Sequence, residues 1–246
     1  MADVSTKGSF WDSLRELRGA QKSNRGAPVY SRFVNRPLGR LFAAAAFQVG
    51  LTPNQVTGIS ALSTFAGIAA LALWPPSLVM AGSVGALLIV GYALDSADGQ
   101  LARLRGGGSQ AGEWLDHVCD SVKTATIHLA VLVSLYRFGD VPTDALLLLP
   151  IVYSVVDSVL FFGFILTDRI RKPQGPSLAA SDAARPSLVR SVLSAPTDYG
   201  LLCVVFLTFA FPPVFLVLYG LLLLGSAGYL LLALPKWYRD VARLEQ

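Results

Sequence analysis

The stretch LDSADGQLARLRGGGSQAGEWLDHVCD, from Leu94 to Asp120, joins the end of one apolar run to the start of the next and carries Asp95, Asp98, Asp116 and Asp120. Carboxylates inside a bilayer are expensive, so each one requires a reason. On a helix, steps of three and four return to the same side. Positions 95, 98, 99 and 102 therefore share one face of the first helix, and positions 112, 116 and 120 share one face of the second. Between them Gly106-Gly107-Gly108-Ser109 is turn chemistry, so the two helices are expected to be antiparallel neighbours with their carboxylates converging. Such a group repels itself unless cations sit within it.

The rest of the chain has the composition of a polytopic membrane protein. Its 246 residues are 53% hydrophobic and only 15% charged, where a soluble domain carries about 25% charged residues. Disorder, a disulfide-stapled secreted domain and a nucleic-acid binder all fit poorly, despite a sequence pI of 9.2. Cys119 and Cys203 fall inside apolar runs and read as buried free thiols. The first 40 residues are polar and basic and do not read as a cleavable signal peptide.

Six hydrophobic segments follow, near residues 54–74, 78–101, 112–136, 145–167, 198–211 and 213–234, separated by turn sequences such as Trp74-Pro75-Pro76-Ser77 and Phe211-Pro212-Pro213. The fifth is the least well bounded, with Pro196 and Asp198 at its start. The predicted fold is all-α: an integral membrane bundle of six transmembrane helices with an N-terminal juxtamembrane amphipathic helix. Its divisions are a cytoplasmic N-terminal segment (1–50), the transmembrane domain (51–236) and a cytoplasmic tail (237–246). Basic residues alternate between sides. Eight Lys and Arg precede the first span, the first and fifth connections carry none, and Arg169, Arg171, Lys172, Arg185 and Arg190 mark the fourth. The positive-inside rule puts both termini and the carboxylates on the cytoplasmic side of the cell membrane. Phe10, Trp11, Leu14 and Leu17 recur at helical spacing among charged residues, which suits a helix lying on the membrane surface or packed on the protein's own cytoplasmic face.

Hard oxygen ligands point to Mg²⁺ or Mn²⁺, and the segment has no Cys/His pattern for zinc; Cys119 is expected to point away from the Asp116/Asp120 face. Two ions a few Å apart clamp the attacking and leaving oxygens of a displacement at phosphorus. Gly99, Ala102 and Gly112 lie on the same faces and leave space for a bulky ligand, and Arg103 adds a fixed charge suited to phosphate. Lys123 is the obvious counter-charge to the aspartates, but one lysine cannot neutralise them all.

These residues carry a family resemblance. The pattern D-x-x-D-G-x-x-A-R, eight residues, G-x-x-x-D-x-x-x-D is matched at Asp95, Asp98, Gly99, Ala102, Arg103, Gly112, Asp116 and Asp120, and so resembles the CDP-alcohol phosphotransferase motif. The resemblance implies a six-helix membrane enzyme that moves a substituted phosphate from a CDP-linked donor to an alcohol, with release of CMP. It implies that Asp95, Asp98 and Asp116 bind two Mg²⁺ or Mn²⁺ ions and the cytidine diphosphate, and that Asp120 is the general base; whether Asp120 also binds metal stays open. The stretches YSRFVNRPLGR (Tyr30–Arg40) and LTPNQVT (Leu51–Thr57) are similar to members that make inositol-phosphate-linked products. That likeness places Asn54 and Thr57 beside the nucleotide. Thr52 and Pro53 also read as a plain helix start.

On this reading CDP-diacylglycerol leads as donor and inositol phosphate as acceptor. A soluble CDP-polyol such as CDP-inositol and glycerol phosphate are the alternatives within the same chemistry, and a homodimer is left open as the assembly. Arg185 and Arg190, on the same membrane face as the aspartates, are candidates for binding a phosphorylated acceptor. Asp157, isolated in span four, is expected either to reach Lys123 across the bundle or to line the acceptor pocket. Glu113 reads as a helix-start acid or a neighbour of Asp116, and His117 and His128 as surface or packing residues. The rival of another class, an ion transporter, predicts acids spread through the membrane thickness and paired discontinuous helices. Here the acids sit at one end of two helices.

Overall fold

Ser and Thr set the starts of three of the long helices. Thr52 and Gln55 form a reciprocal capping box, with Gln55 N–H donating to Thr52 Oγ1 at 3.3 Å and Thr52 N–H to Gln55 Oε1 at 2.8 Å. Ser77 accepts from Met80 N–H at 3.1 Å and Ser109 from Gly112 N–H at 3.0 Å. The computed structural model describes residues 9–19, 28–139, 143–171 and 194–245. Within them the chain is helical, with no strand. α1 spans Phe10–Gly19, α2 Arg36–Gln48 after a π-helical turn at Ser31–Asn35, α3 Pro53–Leu73, α4 Leu78–Leu104 and α5 Gln110–Phe138. α6, Leu148–Arg171, is preceded by a 3₁₀ turn, and α7 (Tyr199–Phe206) and α8 (Pro212–Ala242) complete the bundle.

Among the described residues, α3, α4, α5, the segment Asp144–Arg171 and α8 are long and apolar enough to cross a membrane. The fifth predicted span differs. Asp198 caps α7, and after Phe206 the chain turns through 207–210 into the Phe211-Pro212-Pro213 break. Eight residues of helix reach roughly 12 Å, well short of a bilayer core of about 30 Å. The residues preceding it, 172–193, lie outside the described residues.

α3 and α4 pack by close backbone approach. Ser60 and Ser63 hydroxyls donate to the Gly91 and Leu87 carbonyls at 2.8 and 2.9 Å, and a Cβ on Gly67 would meet Leu87 and Leu88 at 3.3 Å. Lipid offers no hydrophobic drive between helices, so small residues and interhelical hydroxyl bonds carry such a contact. α2, not anticipated as a helix, lies against α4 in the same way: a Cβ on Gly39 would stand 2.8 Å from Ser96. Leu14 and Leu17 of α1 are buried with Ala43, Ala44, Val56, Ala97 and Leu101, while Trp11 is 68% exposed. α1 therefore packs on the protein at the end of the bundle that carries the aspartates.

A larger core fills the space between α3 to α8, centred on Tyr153, Phe206, Phe215 and Tyr219. His128, wholly buried there, has Nδ1 2.6 Å from Tyr219 Oη and Nε2 3.0 Å from Asp157 Oδ2 and stacks on Tyr153. This corrects the expected partner of Asp157, which is His128 of α5 and not Lys123. The imidazole and the tyrosine hydroxyl, both fully buried, are thereby satisfied within the core.

Candidate active site

α5 packs against α3 and α6, and its contacts with α4 are few. The two carboxylate-bearing helices are therefore not the close-packed neighbours their short connection suggests. Gly106 (φ 90°) and Gly107 (φ 138°) turn the chain between them in a backbone region that favours glycine. The carboxylates then meet across a gap that the start of α3 helps to line.

Asp95, Asp98 and Asp116 each offer an oxygen, and these oxygens lie within 4.8 Å of one another. Asp116 and Asp120 form a second such group with His117, whose ring was read from sequence as a surface or packing residue. The expected convergence of the aspartates is present. Asp98 is the most constrained of them: Thr57 Oγ1 lies 2.6 Å from its Oδ2, and Gly99 N–H donates to its Oδ1 at 2.5 Å. Thr57 thus links the capping turn of α3 to the carboxylate cluster.

Asn54 sits beside Gly112, where an added Cβ would come within 2.9 Å of Asn54 Oδ1 and 3.2 Å of Ser109 Oγ. Gly112 is required by that approach of α3 to α5. Gly99 is different, because a Cβ there would meet only Arg103 Nη1, at 3.6 Å, so its hydrogen faces open space. Ala102 is buried one turn on. Arg103 Nε is buried without a hydrogen-bond partner among the described residues, an orphan donor next to the carboxylates. Arg105 is committed elsewhere, donating to the Leu51 carbonyl at 2.7 Å.

Lys123 reaches the site and forms ion pairs with Asp120, its closer partner, and with Asp95 at 3.8 Å. Its ammonium also lies 4.8 Å from the ring centroid of Tyr199, at the start of α7. Nothing in the local sequence marked Tyr199, because the contact joins positions far apart in the chain. A small cavity is lined by Thr57, Ser60, Asp95, Cys119, Asp120 and Lys123, among others. Cys119 is thus on the cavity wall, contrary to expectation, since α5 presents that flank to α3. Glu113 pairs with Arg169 of α6 at 2.7 Å across a half-exposed surface. Arg185 and Arg190 lie outside the described residues.

Oxygen donors in this number, with hydroxyl and amide donors fixing Asp98, suit a hard divalent cation such as Mg²⁺ or Mn²⁺. The orphan Arg103 donor suits a phosphate oxygen.

The family model described as CDP-alcohol phosphatidyltransferase matches residues 50–233. A phosphatidylinositol phosphate synthase of Mycobacterium tuberculosis is 33% identical over 105 residues, 43% of this chain and 46% of the relative. An archaetidylinositol phosphate synthase of Pyrococcus horikoshii is 37% identical over 94 residues, 38% of this chain and 47% of the relative. The chain thus spans about half the length of the curated relatives it matches. Among solved structures, the Mycobacterium tuberculosis phosphatidylinositol phosphate synthase in complex with manganese and citrate superposes with a TM-score of 0.57 at 21% identity, covering 83% of this chain and 89% of that one. The same protein with CDP-DAG bound gives 0.55 at 21% identity, covering 83% and 94%. At that identity the likeness is one of fold.

Proposed function

The chain belongs to the CDP-alcohol phosphatidyltransferase family, and from that premise we propose that it transfers a substituted phosphate from a CDP-linked donor to the hydroxyl of a small polyol, releasing CMP. The observation that carries this is the meeting of Asp95, Asp98 and Asp116 within 4.8 Å, on the residues of the family's motif. CDP-diacylglycerol is the proposed donor and inositol phosphate the proposed acceptor. The names of the relatives and the likeness of Tyr30–Arg40 to makers of inositol-linked products support that pair.

Asp95, Asp98 and Asp116, with Asp120 at the edge of the set, would hold two Mg²⁺ or Mn²⁺ ions. Divalent ions at such a site neutralise the pyrophosphate and ease displacement at phosphorus. Thr57 and Gly99 N–H fix Asp98, so one ligand is ordered before the donor arrives. Gly99 and Ala102 form the wall against which the nucleotide lies, Asn54 packed on Gly112 borders it, and Arg103 turns its free Nε to a phosphate oxygen. Asp120 receives the proton of the attacking hydroxyl, and Arg185 and Arg190 hold the acceptor's phosphate.

The protein is a multi-pass protein of the cell membrane in this reading. The apolar segment 198–211, which includes α7, is the proposed sixth crossing, and the pattern of Lys and Arg supports a cytoplasmic placement of both termini and the site. α1 lies at the membrane surface with Trp11 turned to the head groups. The test is to incubate the purified protein with Mg²⁺ and CDP-diacylglycerol, and to screen inositol phosphate, inositol and glycerol phosphate for CMP release. Release with inositol phosphate alone is expected. Release from neither CDP-diacylglycerol nor CDP-inositol as donor, with any of these acceptors, would refute the proposal.

A further inference from the structure

Lys123 is 9% exposed, and its ammonium lies among three helices. On α5 it meets Asp120 Oδ1 in a close ion pair, from α4 Asp95 Oδ2 stands 3.8 Å away, and from α7 the ring of Tyr199 faces it with its centroid at 4.8 Å. A buried ammonium loses its hydration and persists where carboxylates and a π face replace it. The Tyr199 ring is itself held in place. Asp198 accepts from Gly200 N–H at 3.1 Å and from Ser31 N–H at 3.0 Å, which ties the start of α7 to the segment before α2. Tyr92 of α4 stands edge-on to Tyr199, with centroids 5.2 Å apart and planes at 74°, and Tyr30 in turn stacks on Tyr92.

We propose that Lys123 is a positioning residue that fixes the carboxylate of Asp120, with Tyr199 as the seat of its ammonium; this rests on the phosphotransfer reading above. The last torsion of an aspartate is broad and two-fold, so an untethered carboxylate exchanges its oxygens and swings. Lys123 holds Oδ1 and leaves Oδ2 to face the acceptor hydroxyl. Its second ion pair, to Asp95, ties Asp120 to the edge of the group formed by Asp95, Asp98 and Asp116. The longer distance to Asp95 shows which carboxylate the lysine chiefly serves. A misplacement of about 1 Å between a hydroxyl and its proton acceptor can cost roughly a hundredfold in rate, whereas donor binding needs no such alignment.

The test uses the full-length protein in detergent or nanodiscs and compares Lys123→Met, Lys123→Arg, Tyr199→Phe and Tyr199→Leu with wild type. Three quantities are measured: kcat and KM by CMP release, Mn²⁺-dependent affinity for CDP by titration calorimetry, and the thermal midpoint. Lys123→Met is expected to lower kcat about thirtyfold, with donor KM and CDP affinity within about twofold of wild type. Lys123→Arg should recover most of the rate. Tyr199→Phe keeps the ring and should be near wild type, while Tyr199→Leu should lose about fivefold in kcat.

Wild-type kcat in Lys123→Met would overturn the proposal, as would CDP affinity and kcat falling together in both lysine variants. If Lys123→Met does not fold, Tyr199→Leu decides, and wild-type kcat there overturns it. A wild-type protein that releases no CMP from any CDP-linked donor refutes the phosphotransfer reading and the proposal with it. An active wild type matched by Lys123→Met refutes the proposal alone.

Discussion

Thr57→Val removes a single hydrogen bond at nearly constant volume. Thr57 and Asp98 are 4% and 7% exposed, and 2.6 Å separates the hydroxyl from Asp98 Oδ2. The hydroxyl has one proton and two neighbouring acceptors, the other being the Pro53 carbonyl at 3.1 Å, and the shorter contact to the carboxylate takes it. Valine leaves Oδ2 buried without that donor, a loss of about 1.5–3 kcal/mol for a hydrogen bond to a charged acceptor. Gly99 N–H still holds Oδ1, so the lower part of that range applies: ~1.5–2 kcal/mol, or roughly tenfold to thirtyfold in an equilibrium constant. Because Asp98 is a proposed ligand, the deficit should appear in Mn²⁺-dependent affinity for CDP, measured by calorimetry on the purified protein. Thr57→Ser, which keeps the hydroxyl, should stay within about threefold of wild type. A valine variant with wild-type affinity would show that the hydroxyl does not order the site.

Activity should vanish with a chelator and return with Mg²⁺ or Mn²⁺, while Ca²⁺, which takes more ligands at longer distance, should inhibit; full activity in excess chelator would remove the ions from the account. Asp95→Asn, Asp98→Asn and Asp116→Asn should lose metal and nucleotide binding together. Asp120→Asn should bind CDP yet turn over at a small fraction of the rate, and near-normal turnover at saturation would end its assignment as base. Arg185→Gln or Arg190→Gln should raise the acceptor KM about tenfold for inositol phosphate and leave donor KM unchanged. Unchanged acceptor KM in both would take these arginines out of the site.

The aspartates were legible because their spacing is local: steps of three and four on a helix fix a shared face without knowledge of the fold. The helix start at Thr52 was legible for the same reason, since a cap acts within one turn, whereas Ser77 and Ser109 read only as the ends of turns and the structure shows them as caps. Contacts between distant positions were not. The bond from Thr57 to Asp98 spans 41 residues, and those of His128 to Asp157 and Tyr219 span 29 and 91. Lys123 was visible as a neighbour of Asp120 at helical spacing, but its seat on Tyr199 depends on where α7 docks. The separation of α4 from α5 was hidden by their short connection, because a turn brings ends together and says little about what packs along the length. α2 was missed because its apolar run, Leu41–Phe47, is far too short to be read as a span; it is the small side chains Gly39, Ala43 and Ala44 that let it lie on α4.

Counting CMP and lipid product together is the most direct test that this carboxylate cluster performs phosphatidyl transfer. The purified protein is given Mg²⁺, CDP-diacylglycerol and radiolabelled inositol phosphate, and both products are measured in the same sample, with Asp116→Asn alongside. The account predicts equal amounts of CMP and labelled lipid, no CMP without acceptor, and neither product from the variant. CMP formed without a matching phosphorylated lipid, or lipid formed undiminished by Asp116→Asn, would contradict it.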